Sequence, residues 1–517
     1  MECPSQPQSA PPGYNQRMTT DVTTEYETVI GLEVHCQLKT ESKMFCGCSA
    51  AYFDTEPNTH VCPVCMGMPG MLPVINRKAV EYTIRTGLAL GCAIPDFSKF
   101  DRKNYPYPDL MKGYQISQYD QPLCLGGGLD IEVDGVPHYV HLERIHLEED
   151  TARLLHRDDG VGEGYSLLDV NRAGSPLMEI VSTPDMHSSA QAVAYLRKLR
   201  QVVRFIDVSD ADMEKGSFRC DANVSIRPVG SQTLGAKVEV KNMNSFRAIQ
   251  RAIDSEVERQ TAILRAGGTI EQETRGYVDA TGETVSQRSK EQAHDYRYFP
   301  EPDLPPLRIT SDEVDVLRAS LPELPDPRRA RFEAEYGLAP ADAHQLTETR
   351  IEADAFEQTV GLAVSGVTEA AARTARARAV AHWIIGDLAR LRRSEAGGER
   401  EWSEILVTPA HVAELVRITE DGTITGTTAK EVLDVAFESG AMPSAIVAER
   451  GLAQVRDTAE IDRVAAEVIA ANEKPVADYR GGKTAALQFL VGQVMRQLRG
   501  RADANGAAEA LRRQLDA

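Results

Sequence analysis

The sequence has no long apolar run and no excess of positive charge. No window approaches the roughly 18 consecutive apolar residues that a membrane-spanning helix needs, so we expect no membrane span. The 57 lysines and arginines are outnumbered by 77 acidic residues, which gives a formal net charge of −20. A field of that sign repels nucleic acid, so any contact with RNA must use a local basic patch or be shared with other subunits.

The N-terminal segment, residues 1–25, also lacks the apolar stretch of a signal peptide. It is rich in Pro, Ser, Gln and Thr, which predicts a disordered extension rather than a targeting signal. The nine cysteines are an odd number in a chain with no secretory signal, which favours the reducing cytoplasm. In that compartment, clustered cysteines more often bind metal or catalyse reactions than form disulfides.

The distribution of patterns predicts an α+β body followed by helices. Strand-like alternation, as in ETVIGLEVHCQL, is interrupted by two helical patterns, NRKAVEYTIRTGLALG and SSAQAVAYLRKLRQVVRFI. Four prolines between 300 and 306 end this body, and we expect them to form a stiff connector without regular structure. Beyond Pro306 the 3.6-residue periodicity predicts only helices, with a second boundary at residues 394–400.

Four of the cysteines form a compact pattern, C-x-C, thirteen residues, then C-x-x-C: Cys46, Cys48, Cys62 and Cys65. Four thiolates at these spacings can close tetrahedrally around Zn²⁺; the alternative is four buried cysteines that act as small apolar residues. A shell of four thiolates leaves no open position for water or substrate. We therefore predict a structural metal clip and look for the chemistry elsewhere.

Acidic and imidazole side chains mark a second candidate site. On a strand, Glu33, His35 and Gln37 of GLEVHCQL share one face because the side-chain period is two. A carboxylate presented beside an imidazole suits a divalent metal, although an ordinary surface strand gives the same pattern. Glu179 lies inside the apolar run NRAGSPLMEI, where a lone carboxylate is costly unless it is paired or binds a cation such as Mg²⁺.

Three further clusters have both a functional and a structural interpretation. The acidic triplet of HLEEDTARLLH is a candidate metal site or a solvated edge: Glu148, Glu149 and Asp150. Two basic clusters suit stacking on bases and contact with phosphates, or else loop packing. The first interleaves Arg102, Lys103 and Lys112 with Tyr105, Tyr107, Tyr114 and Tyr119, and the second contains Lys237, Lys241, Asn242, Asn244 and Arg247.

Taken together, these motifs resemble the B-subunit family of the tRNA-dependent aspartyl/glutamyl-tRNA amidotransferases. Eight phrases follow the family order from about residue 26 to 307: ETVIGLEVHCQLKTESKMFC, EPNTHVCPVCMGMPGMLPVINRKAVEY, KNYPYPDLMKGYQISQYDQPL, LEEDTARLLH, DVNRAGSPLMEIVSTPDM, GSFRCDANVSIRP, EVKNMNSFRAIQRAI and QRSKEQAHDYRYFPEPDLPPL. The resemblance implies an α+β fold with a mixed-sheet cradle domain over 26–306. An all-α helical domain (307–405) and an all-α YqeY-like tail that binds tRNA (406–517) would follow.

The same resemblance implies an ATP-dependent ligase that works as a heterotrimer with an amidase-type subunit, which is the glutaminase, together with a small third subunit. The glutaminase would release ammonia from glutamine, and the ammonia would travel through a channel to the chain that binds ATP. There ATP would phosphorylate the side-chain carboxylate of Glu on tRNA(Gln) or Asp on tRNA(Asn), and ammonia would displace the phosphate. A rival interpretation is a zinc-stapled scaffold that binds tRNA for a partner enzyme and has no catalysis of its own.

The resemblance also nominates residues. It implies Mg²⁺ ligands at His35, Glu149 and Glu179, with Glu33 alongside in the catalytic set; the neighbouring Glu148 is an alternative for the role of Glu149. It implies a zinc clip at Cys46, Cys48, Cys62 and Cys65. Phosphate contacts are expected at Lys112, Arg172 and Lys241, and contacts with the tRNA body at Lys483, Arg496 and Arg499.

Overall fold

A computed structural model describes residues 25–157, 164–289, 296–393, 400–454, 458–498 and 502–516. Three sequence predictions fall outside these residues: the extension over residues 1–24, the boundary at 394–399 and Arg499. The described chain forms two compact units. The first comprises residues up to Leu199 together with Ser209–Asp315, and the second comprises Arg200–Val208 and Val316–Ala517.

The first unit is built on a mixed β-sheet of nine strands within the described residues. The strands of the described chain are β1 Tyr26–Gln37, β2 Phe97–Ser98, β3 Asp101–Asn104, β4 Tyr114–Ser117, β5 Cys124–Leu125, β6 Gly128–Val133, β7 Val136–Glu149, β8 Arg153–Arg157, β9 Tyr165–Asp169, β10 Pro176–Ser182, β11 Phe218–Pro228, β12 Val238–Lys241, β13 Glu273–Val278, β14 Glu283–Ser289, β15 Phe299–Pro300 and β16 Leu307–Arg308. The order of strands in the nine-stranded sheet is β14-β13-β12-β11-β1-β10-β7-β5, with β6 also paired to β7. Only β12 and β13 of this sheet run parallel.

The two faces of the central strands differ in chemistry. In β1, Leu32, Val34 and Cys36 are fully buried, while the alternating Glu33 and His35 face the opposite way. The helix α3 packs against β11, and α1 packs against β7 and β5. The helices of this unit are α1 Arg77–Ala89, α2 Ser189–Phe205, whose last turns belong to the second unit, α3 Phe246–Arg265 and α4 Ser311–Ala319, which continues into the second unit.

The second unit is helical in all of its described residues with regular structure. One apolar core contains Phe205 and buried residues from Phe332 to Val447, and a separate core runs from Ile461 to Leu515. The helices are α5 Pro325–Tyr336, α6 Pro340–Leu346, α7 Arg350–Ala363, α8 Ala370–Trp383, α9 Ala389–Arg392, α10 Pro409–Glu420, α11 Gly426–Ser439, α12 Pro443–Arg450, α13 Thr458–Ala471, α14 Glu473–Arg480, α15 Ala485–Gln497 and α16 Ala504–Leu515. Among the described residues, no helix has the length and apolar character that crossing a membrane would require.

The α+β fold with a helical C-terminal region is thus confirmed. The proline-rich segment lacks regular structure over residues 301–306, as predicted, and the expectation is wrong only at Pro300, the end of a short strand. Phe299–Pro300 pairs with β3, and Leu307–Arg308 pairs with β2. Between them the buried Glu301 accepts hydrogen bonds of 2.7 and 2.8 Å from the Arg102 guanidinium. A proline can sit on such an edge because its missing N–H leaves no partner unsatisfied. The boundaries at 306 and 405 stay predictions.

Candidate active site

Three adjacent strands place two imidazoles and one carboxylate side by side. In the register of the sheet, His35 of β1 lies opposite Glu179 of β10, and Glu179 lies opposite His146 of β7. Residues directly opposite each other in antiparallel strands share a face. Glu148 lies two residues beyond His146 on β7 and therefore joins the same face. Strand pairing alone brings together four side chains from three distant parts of the chain.

The side-chain atoms of this group are close to one another. His35 Nε2 lies 3.4 Å from Glu179 Oε2 and 3.9 Å from Glu148 Oε1. His146 Nε2 lies 3.3 Å from the same Glu179 oxygen and 3.8 Å from Glu148 Oε2. Both carboxylates and His146 are buried, whereas the side chain of His35 is 21% exposed. His35 is therefore the most exposed member of the group.

Charge coupling dominates the titration of the group. Burial disfavours the imidazolium of His146, but the charge of Glu179 and hydrogen bonds to both carboxylates outweigh burial and raise its pKa to about 9. Burial likewise opposes protonation of His35, yet Glu179 raises the pKa of His35. The pKa of Glu179 is held well below its usual range, because the two imidazoles outweigh its burial. The carboxylates therefore retain their charge and favour a cation between them.

This donor set suits a divalent metal ion. Single ligand atoms of His35, Glu148 and Glu179 all lie within 4.8 Å of one another. Carboxylate oxygens are the preferred ligands of Mg²⁺ and Mn²⁺, and an imidazole is the less usual member of such a ligand set. Among the described residues, the buried Nδ1 of His146 has no hydrogen-bond partner, and its Nε2 contacts both carboxylates. His146 is placed to orient them.

Glu149 lies apart from this group. As the next residue of β7 it faces the other side, where its Oε1 lies 2.6 Å from Lys112 Nζ and accepts a 2.9 Å hydrogen bond from the Ile116 amide. The structure therefore places Glu148 where the resemblance nominates Glu149, because adjacent strand residues alternate in direction. Among the described residues, the side chains that could bind a metal together with His35 and Glu179 include Glu148 but not Glu149.

The other nominated side chains are engaged with neighbours. Glu33 accepts a 2.8 Å hydrogen bond from Asn223 Nδ2. Lys241 Nζ lies 2.6 Å from Asp221 Oδ2. The Arg172 guanidinium lies 3.7 Å from Asp150 and donates to the backbone oxygen of Thr151 at 2.8 Å. The basic side chains predicted to contact phosphate therefore already interact with a carboxylate or a backbone oxygen.

The four cysteines converge as their spacing predicts. Their sulfurs lie within 4.8 Å of one another, and Cys62 Sγ is 3.9 Å from Cys65 Sγ. The hydrogen bond from Cys46 and the nearby Lys43 ammonium outweigh burial and lower the pKa of Cys65 to about 4. A thiolate favoured without metal, with three more sulfurs beside it, fits the ligand set of a structural zinc site.

Two polar side chains hold the loop between the two cysteine pairs, residues 49–61. Asn171 Oδ1 accepts from the His60 amide at 2.7 Å, and its Nδ2 donates to Glu56 O at 2.7 Å. Asp169 Oδ1 accepts from the Asn58 amide at 3.1 Å. These side chains support the loop between the two cysteine pairs and do not join the His35 group. The cysteine pairs, through Cys46 and Cys65, line a cavity of about 220 Å³ whose polar wall contains Lys112 and Glu149.

His146 is the member of the site that the sequence reasoning missed. The signal is present in the sequence, since His146 and Glu148 have the same alternate spacing on RIHLEED that identifies Glu33 and His35. The strand is hard to recognise there because the acidic triplet resembles a solvated edge.

His146→Gln is expected to weaken Mn²⁺ binding by roughly 10- to 100-fold, the usual effect of removing a residue that orients metal ligands. Calorimetric titration of the purified chain with Mn²⁺ measures this. His141→Asn is the matched control, because His141 lies on the same strand with an exposed side chain. If both variants bind Mn²⁺ with equal affinity, His146 does not orient the metal ligands.

Comparison with known proteins agrees with this architecture. A family model described as "GatB/GatE catalytic domain" matches residues 28–315, and one described as "GatB domain" of the YqeY type matches residues 366–515. A relative from Thermomicrobium roseum is 56% identical over 479 residues, which cover 93% of this chain and 96% of the relative.

Two further relatives extend the comparison. One from Dehalococcoides mccartyi is 54% identical, covering 95% of this chain and 99% of its own length, and one from Moorella thermoacetica is 53% identical, covering 93% and 97%. All three are named as the B subunit of an aspartyl/glutamyl-tRNA(Asn/Gln) amidotransferase. Because these relatives match nearly the whole length of this chain, the chain belongs to the family of amidotransferase B subunits.

Proposed function

We propose that this chain uses ATP to phosphorylate the side-chain carboxylate of Glu on tRNA(Gln), Asp on tRNA(Asn), or both, and amidates it with ammonia. The observation that carries the proposal is the convergence of His35, Glu148 and Glu179 from three strands of one sheet. A scaffold that only binds tRNA has no need for two buried carboxylates held ionised beside an imidazole. Burying such charges is costly even where imidazoles pair with them, and clusters of this kind concentrate at functional sites.

The chemistry requires activation because a carboxylate is a poor electrophile at neutral pH. An oxygen of the substrate carboxylate attacks the γ-phosphorus, and the bond between that phosphorus and the leaving ADP oxygen breaks. Ammonia then attacks the carbonyl carbon of the acyl phosphate, inorganic phosphate leaves, and the nitrogen loses a proton to give the amide. Phosphoryl transfer depends on positioning and charge neutralisation more than on covalent help from the protein.

In this proposal, His35, Glu148 and Glu179 hold Mg²⁺, which would neutralise phosphate charge during the transfer. His146 orients Glu148 and Glu179 from the buried side. Glu33 lies on the same face of β1, one alternation from His35, where Asn223 fixes its carboxylate beside the group. Phosphate contacts by Lys112, Arg172 and Lys241 stay predictions, and each would require the side chain to exchange a present acceptor for a phosphate oxygen.

The four-cysteine clip holds structural Zn²⁺ in this proposal, and the enzyme works in the cytoplasm. Its partners are the amidase-type glutaminase, which supplies ammonia, the small third subunit of the heterotrimer, and the misacylated tRNA. Lys483 and Arg496 lie on the predicted tRNA-binding tail, and the side chain of Lys483 is 71% exposed. Long-range attraction cannot recruit the tRNA to a chain with a net charge of −20, so local contacts must do so.

The proposal is tested by combining this chain with its two partner subunits, ATP labelled at the γ-phosphate, and each misacylated tRNA in turn. We expect labelled acyl phosphate or inorganic phosphate only when a misacylated tRNA is present, and amide product when glutamine is added. Uncharged tRNA is the control. If neither misacylated tRNA stimulates phosphate transfer, the chain is not the kinase of the complex and the scaffold interpretation gains support.

A further inference from the structure

The basic residues nominated by the resemblance leave the transferred phosphate without an available cation other than the metal. The three basic residues nominated by the resemblance already have acceptors: Lys112 with Glu149, Lys241 with Asp221, and Arg172 with Asp150 and the backbone. Transfer of a γ-phosphoryl group spreads negative charge over its peripheral oxygens, and enzymes of this class place a lysine or arginine there as well as the metal. A cation that is near the metal ligands and not bound to a carboxylate would meet this need.

Lys103 is positioned to be that cation by the small sheet of β3 and β4. Lys103 lies opposite Gln115 in this antiparallel pair, and Asp101 lies opposite Ser117, so all four share one face. That face meets the end of β7. Gln115 Nε2 donates to the Glu149 backbone oxygen at 2.7 Å, and Ser117 Oγ donates to Glu148 Oε2 at 3.0 Å. Lys103 therefore projects from a surface that is hydrogen-bonded directly to a metal-ligand carboxylate.

Aromatic rings hold the ammonium of Lys103 in place. Its Nζ lies 5.1 Å from the centre of the Tyr296 ring and 5.8 Å from that of Tyr105. The two rings pack edge to face at 5.7 Å, and Tyr296 packs similarly against Tyr298 at 6.1 Å. Cation–π contacts of this length attract the ammonium without cancelling its charge. Within the part of the chain that the structure describes, no carboxylate lies within 4 Å of Nζ and the ammonium donates no hydrogen bond.

The electrostatic surroundings keep Lys103 charged. Burial opposes the charged form, but the carboxylates of Glu148 and Glu179 and the phenolic oxygens of Tyr298 and Tyr105 outweigh burial and raise its pKa. The ammonium thus faces the same two carboxylates that would hold the metal, from the side of the tyrosines. An anion bound between the metal and this ammonium would be neutralised from both sides.

We propose that Lys103, held by the rings of Tyr105 and Tyr296, is a phosphate-binding residue of the active site and contacts the γ-phosphoryl group as it is transferred. This inference rests on the proposed function. It selects, from a basic cluster with a general affinity for phosphates, one residue that neither the resemblance nor the comparisons nominate for the transferred phosphoryl group. The lysine contributes a point charge, whereas the aromatic walls restrict where that charge can go. It contributes no ligand to the metal.

The test compares Lys103→Met with Lys78→Met in the assembled complex. Lys78 is a matched control because its Nζ also lies over a tyrosine ring, 4.9 Å from the centre of Tyr82, on the distant helix α1. We expect Lys103→Met to lower kcat/KM for ATP in the phosphorylation of misacylated tRNA by roughly 100-fold, the usual effect of losing one charge-stabilising contact. Lys78→Met should match the wild type, and glutaminase activity should persist in both.

Mn²⁺ binding separates this role from a structural one. Because Lys103 repels a cation at the neighbouring carboxylates, Lys103→Met should bind Mn²⁺ at least as tightly as the wild type. A loss of both Mn²⁺ binding and activity would show that Lys103 is needed for the structure of the site, and it would overturn the inference. Wild-type phosphorylation in Lys103→Met would overturn it too, while leaving the proposed function intact. If the wild-type complex itself transfers no phosphate, the proposed function fails first.

Discussion

Glu148→Gln in the assembled complex is expected to lower the rate of ATP-dependent phosphorylation by roughly 100- to 1000-fold while glutaminase activity persists. The amide keeps the size of the side chain and can keep the hydrogen bond from Ser117. It removes the negative charge that holds the cation between Glu148 and Glu179. The measurement is single-turnover transfer of labelled γ-phosphate to misacylated tRNA, with ammonia release by the glutaminase followed in parallel.

Two further variants make this result specific. Glu143→Gln changes a mostly exposed carboxylate on the same strand and should leave the phosphorylation rate unaltered. Glu149→Gln should retain Mn²⁺ binding, whereas Glu148→Gln should lose it, because Glu149 pairs with Lys112 on the other side of β7. If Glu149→Gln instead loses the metal, the assignment implied by the resemblance is right and the geometry is misleading. Unaltered phosphate transfer in Glu148→Gln would favour the scaffold.

The contrast between Glu148 and Glu149 shows where sequence reasoning ends. A period of two tells which residues of one strand share a face, so the sequence alone is enough to group Glu33 with His35. It does not tell which residues of β7 lie on the same side of the sheet as Glu179 of the neighbouring β10. That depends on the register in which Glu179 meets His146, a relation between distant residues that no local pattern contains.

The buried carboxylate is easier to recognise than its partners. Glu179 stands out because an apolar run cannot hold a lone charge without compensation, and the structure supplies that compensation through two imidazoles. His146 and Lys103 are harder to find because each sits in a polar cluster that has an ordinary surface explanation. For Lys103 the decisive partner, Tyr296, comes from a distant segment of the chain, beside the prolines that were expected to form only a connector.

The positions of the two metal-type sites also explain why only one suits chemistry. The His35 group is an incomplete ligand set whose His35 side chain is partly exposed, so a substrate phosphate can complete it. The four cysteines form a complete set, and their loop is tied to the body by Asn171 and Asp169. Lys43 adds a further tie, because its buried ammonium donates to the His60 backbone oxygen at 2.8 Å. Such a loop needs its metal for shape.

Cys62→Ser is therefore expected to abolish zinc binding and to destabilise the fold by more than about 4 kcal/mol, as the loss of a structural metal typically does. The backbone between the cysteine pairs has no regular strand or helix to hold it, so the remaining hydrogen bonds at its edges must resist unfolding alone. Zinc content by elemental analysis and thermal unfolding of the purified chain measure both effects. Cys92→Ser is the control, since Cys92 lies outside the clip and serine can keep its hydrogen bond to the Gly126 backbone oxygen.

The activity of the same Cys62→Ser variant distinguishes a structural zinc from a catalytic one. At a temperature where Cys62→Ser is still folded, a fraction of phosphate transfer should remain, because His35, Glu148 and Glu179 lie on strands that the clip does not contain. Complete loss of turnover in the folded variant would place the zinc in the reaction. Wild-type zinc content would show that the four cysteines do not share one ion.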